Sequence, residues 1–190
     1  MSKSLGNFMT VYDLLQDGVM GEIIRFVFLT THYRKPLNWT KKLLSDATQA
    51  VDSFYRVLDE SLRDDIEVPV DKRALELLRD DINTPAVLGE MHDITKQYNK
   101  SEDCVVKKDL ALRLYSVGRL LGLFYTGSVV WFKGSDGVDN DFVEQLISKR
   151  ADARKAKNWA EADKVRDHLQ ALGIILDDHA DGTVTWHKEK

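Results

Sequence analysis

Two stretches of this chain combine residue types that could do chemistry. The first is Met1-Ser2-Lys3-Ser4-Leu5-Gly6-Asn7-Phe8. A lysine ammonium is a compact charge on a long, flexible stem, suited to a phosphate on which negative charge builds as a bond breaks. Ser2, Ser4 and Gly6 allow close backbone approach to phosphate and let a loop close over a nucleotide. Lys3 is thus the candidate catalytic residue, although a lysine near a terminus is ordinarily just solvated. In the second stretch, 148–159, Lys149, Arg150, Arg154, Lys155 and Lys157 meet one acid, Asp152, and Trp159 follows at once. Arg150 and Arg154 are four residues apart and so share a helix face. Basic side chains beside an aromatic plane suit unpaired RNA bases, with charges on phosphates and a ring or guanidinium stacked on a base. Asp163 and Asp178 could accept hydrogen bonds from base amino or imino groups, which points to base reading rather than backbone gripping. The same residues also describe a solvated charged helix ending in a core tryptophan.

The elements that must position these residues are mostly helices. Apolar residues at three- and four-residue spacing predict helix over Val11 to Tyr33, broken by Gly18 and Gly21 and ended before Pro36. A second amphipathic run, Thr40 to Arg63, carries Leu43, Ala47, Val51, Phe54 and Leu58. A connector with Pro69 leads to a helix over Asp71 to Arg79. Thr84 and Pro85 predict the next helix start, with Thr84 as cap and Pro85 at the first position. That helix carries Val87, Met91, Ile94 and Tyr98. After a polar loop, Val105 to Gly122 turns Leu110, Leu114, Val117 and Leu121 inward. Successive amphipathic helices on short polar loops predict an antiparallel bundle. The glycine-bearing stretch 126–140 predicts a linker anchored through Val129, Trp131 and Phe132. Beyond it lie a helix over Asp141 to Lys157 and another over Trp159 to Leu172. Asn158 is the expected cap of the latter, with Glu161 at capping-box spacing and Gly173 as its stop. Ile174-Ile175-Leu176 and Val184-Thr185-Trp186 predict a hairpin around Asp181-Gly182. His32, Tyr33 and Arg34 sit at an expected helix end, where the dipole favours cationic side chains.

The chain has 190 residues, 43% apolar and 31% charged, with three prolines and a net charge of −4. The charge argues against generic stickiness for nucleic acid but leaves room for a local basic surface. One cysteine, Cys104, excludes an internal disulfide framework and any multi-cysteine zinc site. No histidine pairs with a carboxylate or a second histidine at ligand spacing, and no Ser-His-Asp or Cys-His set stands out. The most apolar window, Val19 to Leu29, is too short to span a bilayer and is interrupted by Glu22 and Arg25. The N-terminus lacks the features of a secretion signal, and a cytoplasmic protein is expected.

Several segments together resemble cysteinyl-tRNA synthetase, a class I aminoacyl-tRNA synthetase. Met1 to Phe8 resembles the KMSKS loop without its leading lysine. The other matching stretches are Ile24-Arg-Phe-Val-Phe-Leu-Thr-Thr-His-Tyr-Arg34, Asp80-Asp-Ile-Asn-Thr-Pro85, Ala153 to Asp167, and Gly173-Ile-Ile-Leu-Asp-Asp178 with Gly182, Thr183 and Trp186. They follow the family's order over essentially the whole chain, and the terminal stretch separates this family from other class I synthetases.

The resemblance implies a mainly α fold: an antiparallel helical bundle followed by a small α/β anticodon-binding module of two helices and a short β-hairpin. It implies a loop remnant with tRNA stem-contact helices over 1–39, a DALR-like bundle over 40–125, a linker over 126–140 and the anticodon-binding module over 141–190. Lys3, with Ser2 and Ser4, would meet ATP. Arg154, Trp159, Asp163 and Asp178 would meet the GCA anticodon of the cysteine tRNA, with Arg150 beside them. The helices around Arg25 to Arg34 would face the tRNA elbow. The implied activity is activation of cysteine with ATP and magnesium and its transfer to the cysteine tRNA. Zinc belongs to the complete enzyme through ligands absent from this chain. No membrane or DNA partner is implied. The expectation is a C-terminal part of a ligase that begins inside its active-site loop and gives no pyrophosphate exchange alone. A freestanding tRNA-binding module without catalysis fits the same residues.

Overall fold

A computed structural model of the chain describes residues 10–58, 68–133, 140–179 and 183–188. Lys3, Ser2 and Ser4 lie outside the described residues, as does the expected turn at Asp181-Gly182. The chain forms two compact units that divide between Ser128 and Val129.

The first unit is entirely helical among the described residues: α1 (Val11–Gln16), α2 (Gly21–Leu29), α3 (Lys41–Val57), α4 (Lys72–Arg79), α5 (Thr84–Lys100) and α6 (Cys104–Leu120). Local capping chemistry sets most of the starts. Thr10 and Asp13 form a reciprocal capping box, Thr10 Oγ1 accepting from Asp13 N at 3.1 Å and Asp13 Oδ2 from Thr10 N at 2.8 Å. Thr40 accepts from Leu43 N, Asp71 from Ala74 N, and Asp103 from Val105 N and Val106 N. The expected helix to Arg63 is described to Val57, and 59–67 lie outside the described residues.

Two expectations in this unit are corrected. The cap of α5 is Asn83, not Thr84: Asn83 Oδ1 accepts from Ala86 N at 3.2 Å. Thr84 is the first helical residue, and its hydroxyl donates to Leu29 O at 3.0 Å. Asn83 wins because the Thr84 hydroxyl is recruited by the end of α2. Helix α2 stops at Leu29 rather than Tyr33. His32, Tyr33 and Arg34 leave its axis to meet Asp81 instead, so the helix dipole is not what places them.

The core takes Ile23, Ile24, Phe26 and Val27 from α2, Val51, Phe54 and Tyr55 from α3, Val87, Met91 and Ile94 from α5, and Leu110, Leu114 and Val117 from α6. The three- and four-residue spacing marks most of these positions, but not Phe26 or Tyr55. Past α6 the chain turns back through Gly122 and Phe124, both left-handed at φ 76° and 64°. The Phe124 ring fills a hole over Gly118, where an added Cβ would lie 1.9 Å from it. That ring meets Tyr55 at 5.2 Å and Phe54 at 6.5 Å between centroids.

The terminal unit holds α7 (Ser128–Lys133), which starts at the boundary, then α8 (Asn140–Lys155), α9 (Trp159–Ala171), β1 (Ile174–Asp178) and β2 (Val184–Lys188). The stretch 126–140 therefore contains a short helix, and Trp131 within it is buried. Helices α8 and α9 form a hairpin about Lys157, which adopts φ 57°. Asn158 caps α9 by accepting from Glu161 N, while the Glu161 carboxylate turns to Lys149 Nζ at 3.1 Å instead of closing a capping box. The strands pair antiparallel with Leu176 opposite Trp186 and Asp178 opposite Val184. Val143, Ile147, Val165, Leu169, Ile174 and Trp186 make the core. Trp186 Nε1 donates to Glu144 Oε1 at 3.0 Å, which satisfies the polar end of a buried indole.

Candidate nucleic-acid interface

Helix α8 brings Arg150 and Arg154 to one face, and the hairpin register carries Asp178 to the end of β1. The three side chains converge. Arg150 Nη1 donates to Asp178 Oδ1 at 3.0 Å and Nη2 to Oδ2 at 2.9 Å, a bidentate fork. Arg154 Nη1 shares itself between the same oxygens at 3.3 Å. Arg150 is buried, whereas the Arg154 and Asp178 side chains are about half-exposed. The fork from Arg150 is the main reason that the Asp178 carboxyl is held below the ordinary aspartate value; both guanidinium charges add to it. The same fork raises the Arg150 guanidinium above its ordinary value, against the opposing effect of burial.

Beside this cluster α9 and β1 enclose a cleft of about 420 Å³, reached by Arg166, Gln170 and Ile175 as well as Arg150 and Asp178. Asp163, the other expected acceptor, is exposed and lies 3.6 Å from Arg166 Nη2. Its charge is also felt at Arg150. Trp159 occupies the first position of α9 and is 60% exposed, so it is not the core tryptophan of a plain charged helix. The structure thus joins Arg150, Arg154 and Asp178 directly, sets Asp163 near them, and leaves Trp159 as an exposed ring at the α8–α9 turn.

Sequence reasoning missed how committed the basic run is. Arg150 and Arg154 both pair with Asp178, Lys149 pairs with Glu161 at 3.1 Å, and Lys155 lies 3.8 Å from Asp152. Arg166 and Gln170 also escaped notice, because nothing in a helical pattern says that its exposed face borders a cleft.

A second polar cluster lies in the helical unit. Tyr33 Oη donates to Asp81 Oδ1 at 2.7 Å, and Arg34 Nη2 lies 3.2 Å from the same oxygen. The hydrogen bond to Asp81 is the main reason that the Tyr33 phenol is held above its ordinary value. His32 Nε2 bonds Asp81 O at 3.0 Å, and its ring stacks on Tyr33 at 4.8 Å. Asp81 and Ile82 both adopt φ 53°, uncommon for residues with side chains. This turn presents Asp81 to all three residues. Cys104 is exposed at the first position of α6. Among the described residues no three His, Cys, Asp or Glu side chains are grouped to hold a metal ion. Among the described residues no helix is long and apolar enough to cross a membrane.

Comparison with known proteins finds matches in three segments of the chain. Residues 1–49 match the tRNA synthetases class I (C) catalytic domain, 75–125 the DALR domain, and 141–186 the cysteinyl-tRNA ligase anticodon binding domain. The cysteine–tRNA ligase of Wolbachia pipientis wMel is 39% identical over 189 residues, covering 98% of this chain and 41% of the relative. That of Ehrlichia canis (strain Jake) is 39% identical over 194 residues, covering 100% of this chain and 41% of the relative. The ligase of Wolbachia from Culex pipiens is 35% identical over 187 residues, covering 98% of this chain and 40% of the relative. The chain spans about two-fifths of the length of these curated relatives. Its helical bundle and terminal α/β unit are those of a class I aminoacyl-tRNA synthetase. Within that class, the chain belongs to the cysteinyl-tRNA synthetase family.

Proposed function

We propose that this chain is the tRNA-binding part of a cytoplasmic cysteine–tRNA ligase, and that its terminal unit reads the GCA anticodon of the cysteine tRNA. The observation that carries this reading is the convergence of Arg154 and Asp178 beside a cleft, with Trp159 exposed at the start of α9, inside the segment that matches an anticodon binding domain. In this reading Trp159 stacks on a base, Arg154 holds phosphate or stacks on a base, and Asp178 and Asp163 accept from base donors. The segment 1–39 contributes Lys3, Ser2 and Ser4 to ATP and stem contacts, and 40–125 forms the bundle between them. Magnesium with ATP, and zinc with the cysteine thiolate, belong to the whole ligase; no residue of this chain is assigned to either metal. The reading names no DNA or membrane partner.

The test is a titration of the chain against the cysteine tRNA and the same tRNA with its anticodon replaced, at two salt concentrations. Anticodon-dependent binding that Arg154→Ala and Trp159→Ala both weaken supports the reading. Salt-labile binding that ignores the anticodon overturns it.

A further inference from the structure

Two guanidiniums grip Asp178, and the two grips differ. Arg150 makes a fork of two separate bonds at 3.0 and 2.9 Å, and its side chain is 10% exposed. Arg154 divides one nitrogen between both oxygens at 3.3 Å, and its side chain is 46% exposed. The first is the strong, oriented geometry of a charge-assisted pair, and the second is long and shared. To reach a phosphate, the Arg150 guanidinium would have to break both bonds and leave a buried site. Arg154 loses little by letting go, since water reaches its side chain. A carboxylate has about four acceptor positions, and removing the shared Arg154 bond leaves its outer edge open to a new donor.

We propose that Arg150 is a positioning residue: it does not touch RNA but fixes the plane of the Asp178 carboxylate, while Arg154 is the exchangeable partner that leaves Asp178 when a base donor arrives. This rests on the reading of the terminal unit as an anticodon reader. It removes Arg150 from the expected RNA contacts and gives it a different task. The fork also keeps a carboxylate compensated beside a polyanion that would otherwise repel it.

Lysine separates the two roles, because it keeps the charge but cannot form the fork. The 190-residue chain is titrated with the cysteine tRNA and its anticodon-replaced form at two salt concentrations, as wild type, Arg150→Lys, Arg150→Ala, Asp178→Asn, and Arg150→Lys combined with Asp178→Asn. The expected result is that Arg150→Lys loses discrimination between the tRNAs by about tenfold or more, as the loss of one base contact does. Its salt dependence is unchanged, and it adds nothing to Asp178→Asn. If Arg150→Lys keeps discrimination while Arg150→Ala weakens both tRNAs alike and lowers the salt slope by about one, Arg150 is a phosphate contact and the inference falls. If Asp178→Asn leaves discrimination untouched, the reading of Asp178 as a base acceptor falls first. Should the variants unfold, the wild-type chain still decides the matter by NMR. Arg150 guanidinium signals must stay put on adding RNA while those of Arg154 move, and the reverse overturns the inference.

Discussion

The backbone N–H of Phe124 donates to the Glu22 carboxylate at 2.7 Å, across 102 residues of sequence. The same carboxylate accepts from Tyr55 Oη at 3.0 Å and from Thr126 Oγ1 at 3.4 Å. One side chain in the first turn of α2 thereby ties α2, α3 and the turn after α6 together. Burial, outweighing these hydrogen bonds, holds the Glu22 carboxyl above the ordinary glutamate value; burial likewise pushes up the Tyr55 phenol.

A raised folded-state value means that the native chain binds the proton more tightly than the unfolded chain. The stabilisation from Glu22 is therefore full below the ordinary glutamate range and declines as pH rises through the raised value. Glu22→Gln is expected to flatten this part of the stability–pH curve while keeping an acceptor for Phe124 N–H. Glu22→Ala is expected to cost about 1–3 kcal/mol, because buried Phe124 N–H loses its partner. Chemical denaturation between pH 4 and 8 checks both; an unchanged pH slope in Glu22→Gln would contradict the assignment.

Asp178 behaves oppositely. Its depressed carboxyl gives stabilisation that is present above the ordinary aspartate value and is lost as pH falls through the lower one. Asp178→Asn should remove that acid-side decline in the terminal unit. An NMR titration of the Asp178 carboxyl checks the cause: in Arg150→Lys it should titrate at higher pH than in the wild type.

Gly118→Ala places a methyl against the Phe124 ring. Overpacking of this kind costs about 1–3 kcal/mol, against about 1 kcal/mol gained from helix propensity. Net destabilisation is expected, and it should shrink when Phe124→Leu is combined with it. Additive effects in that double-mutant cycle would show that the two residues do not share the space.

Trp159→Ala should change thermal stability by under about 0.5 kcal/mol, since the ring is largely exposed. If the ring stacks on a base, tRNA affinity should fall by about 1–3 kcal/mol. A large loss of stability with unchanged affinity would make Trp159 a packing residue.

What the sequence determined by itself was what neighbouring residues settle among themselves. The apolar spacing of Val87, Met91 and Ile94 marks a buried stripe wherever the helix packs. Asn158 caps α9 with a bond spanning three residues, and Gly173 can stop it because glycine tolerates the φ of 71° found there. The basic run of α8 and the acids beyond it were equally legible as residue types. Which acid meets which base was not. Arg150 and Asp178 are 28 residues apart, Tyr33 and Asp81 48, and Glu22 and Phe124 102. Each pair is chosen by where a turn or a strand register delivers the chain, and no periodicity encodes that. Tertiary structure also overrode local chemistry: Thr84 could cap α5, but the end of α2 takes its hydroxyl, and Asn83 caps instead. Local interactions carry their own geometry along the chain, whereas a distant partner exists only once packing has brought the two segments within hydrogen-bonding reach.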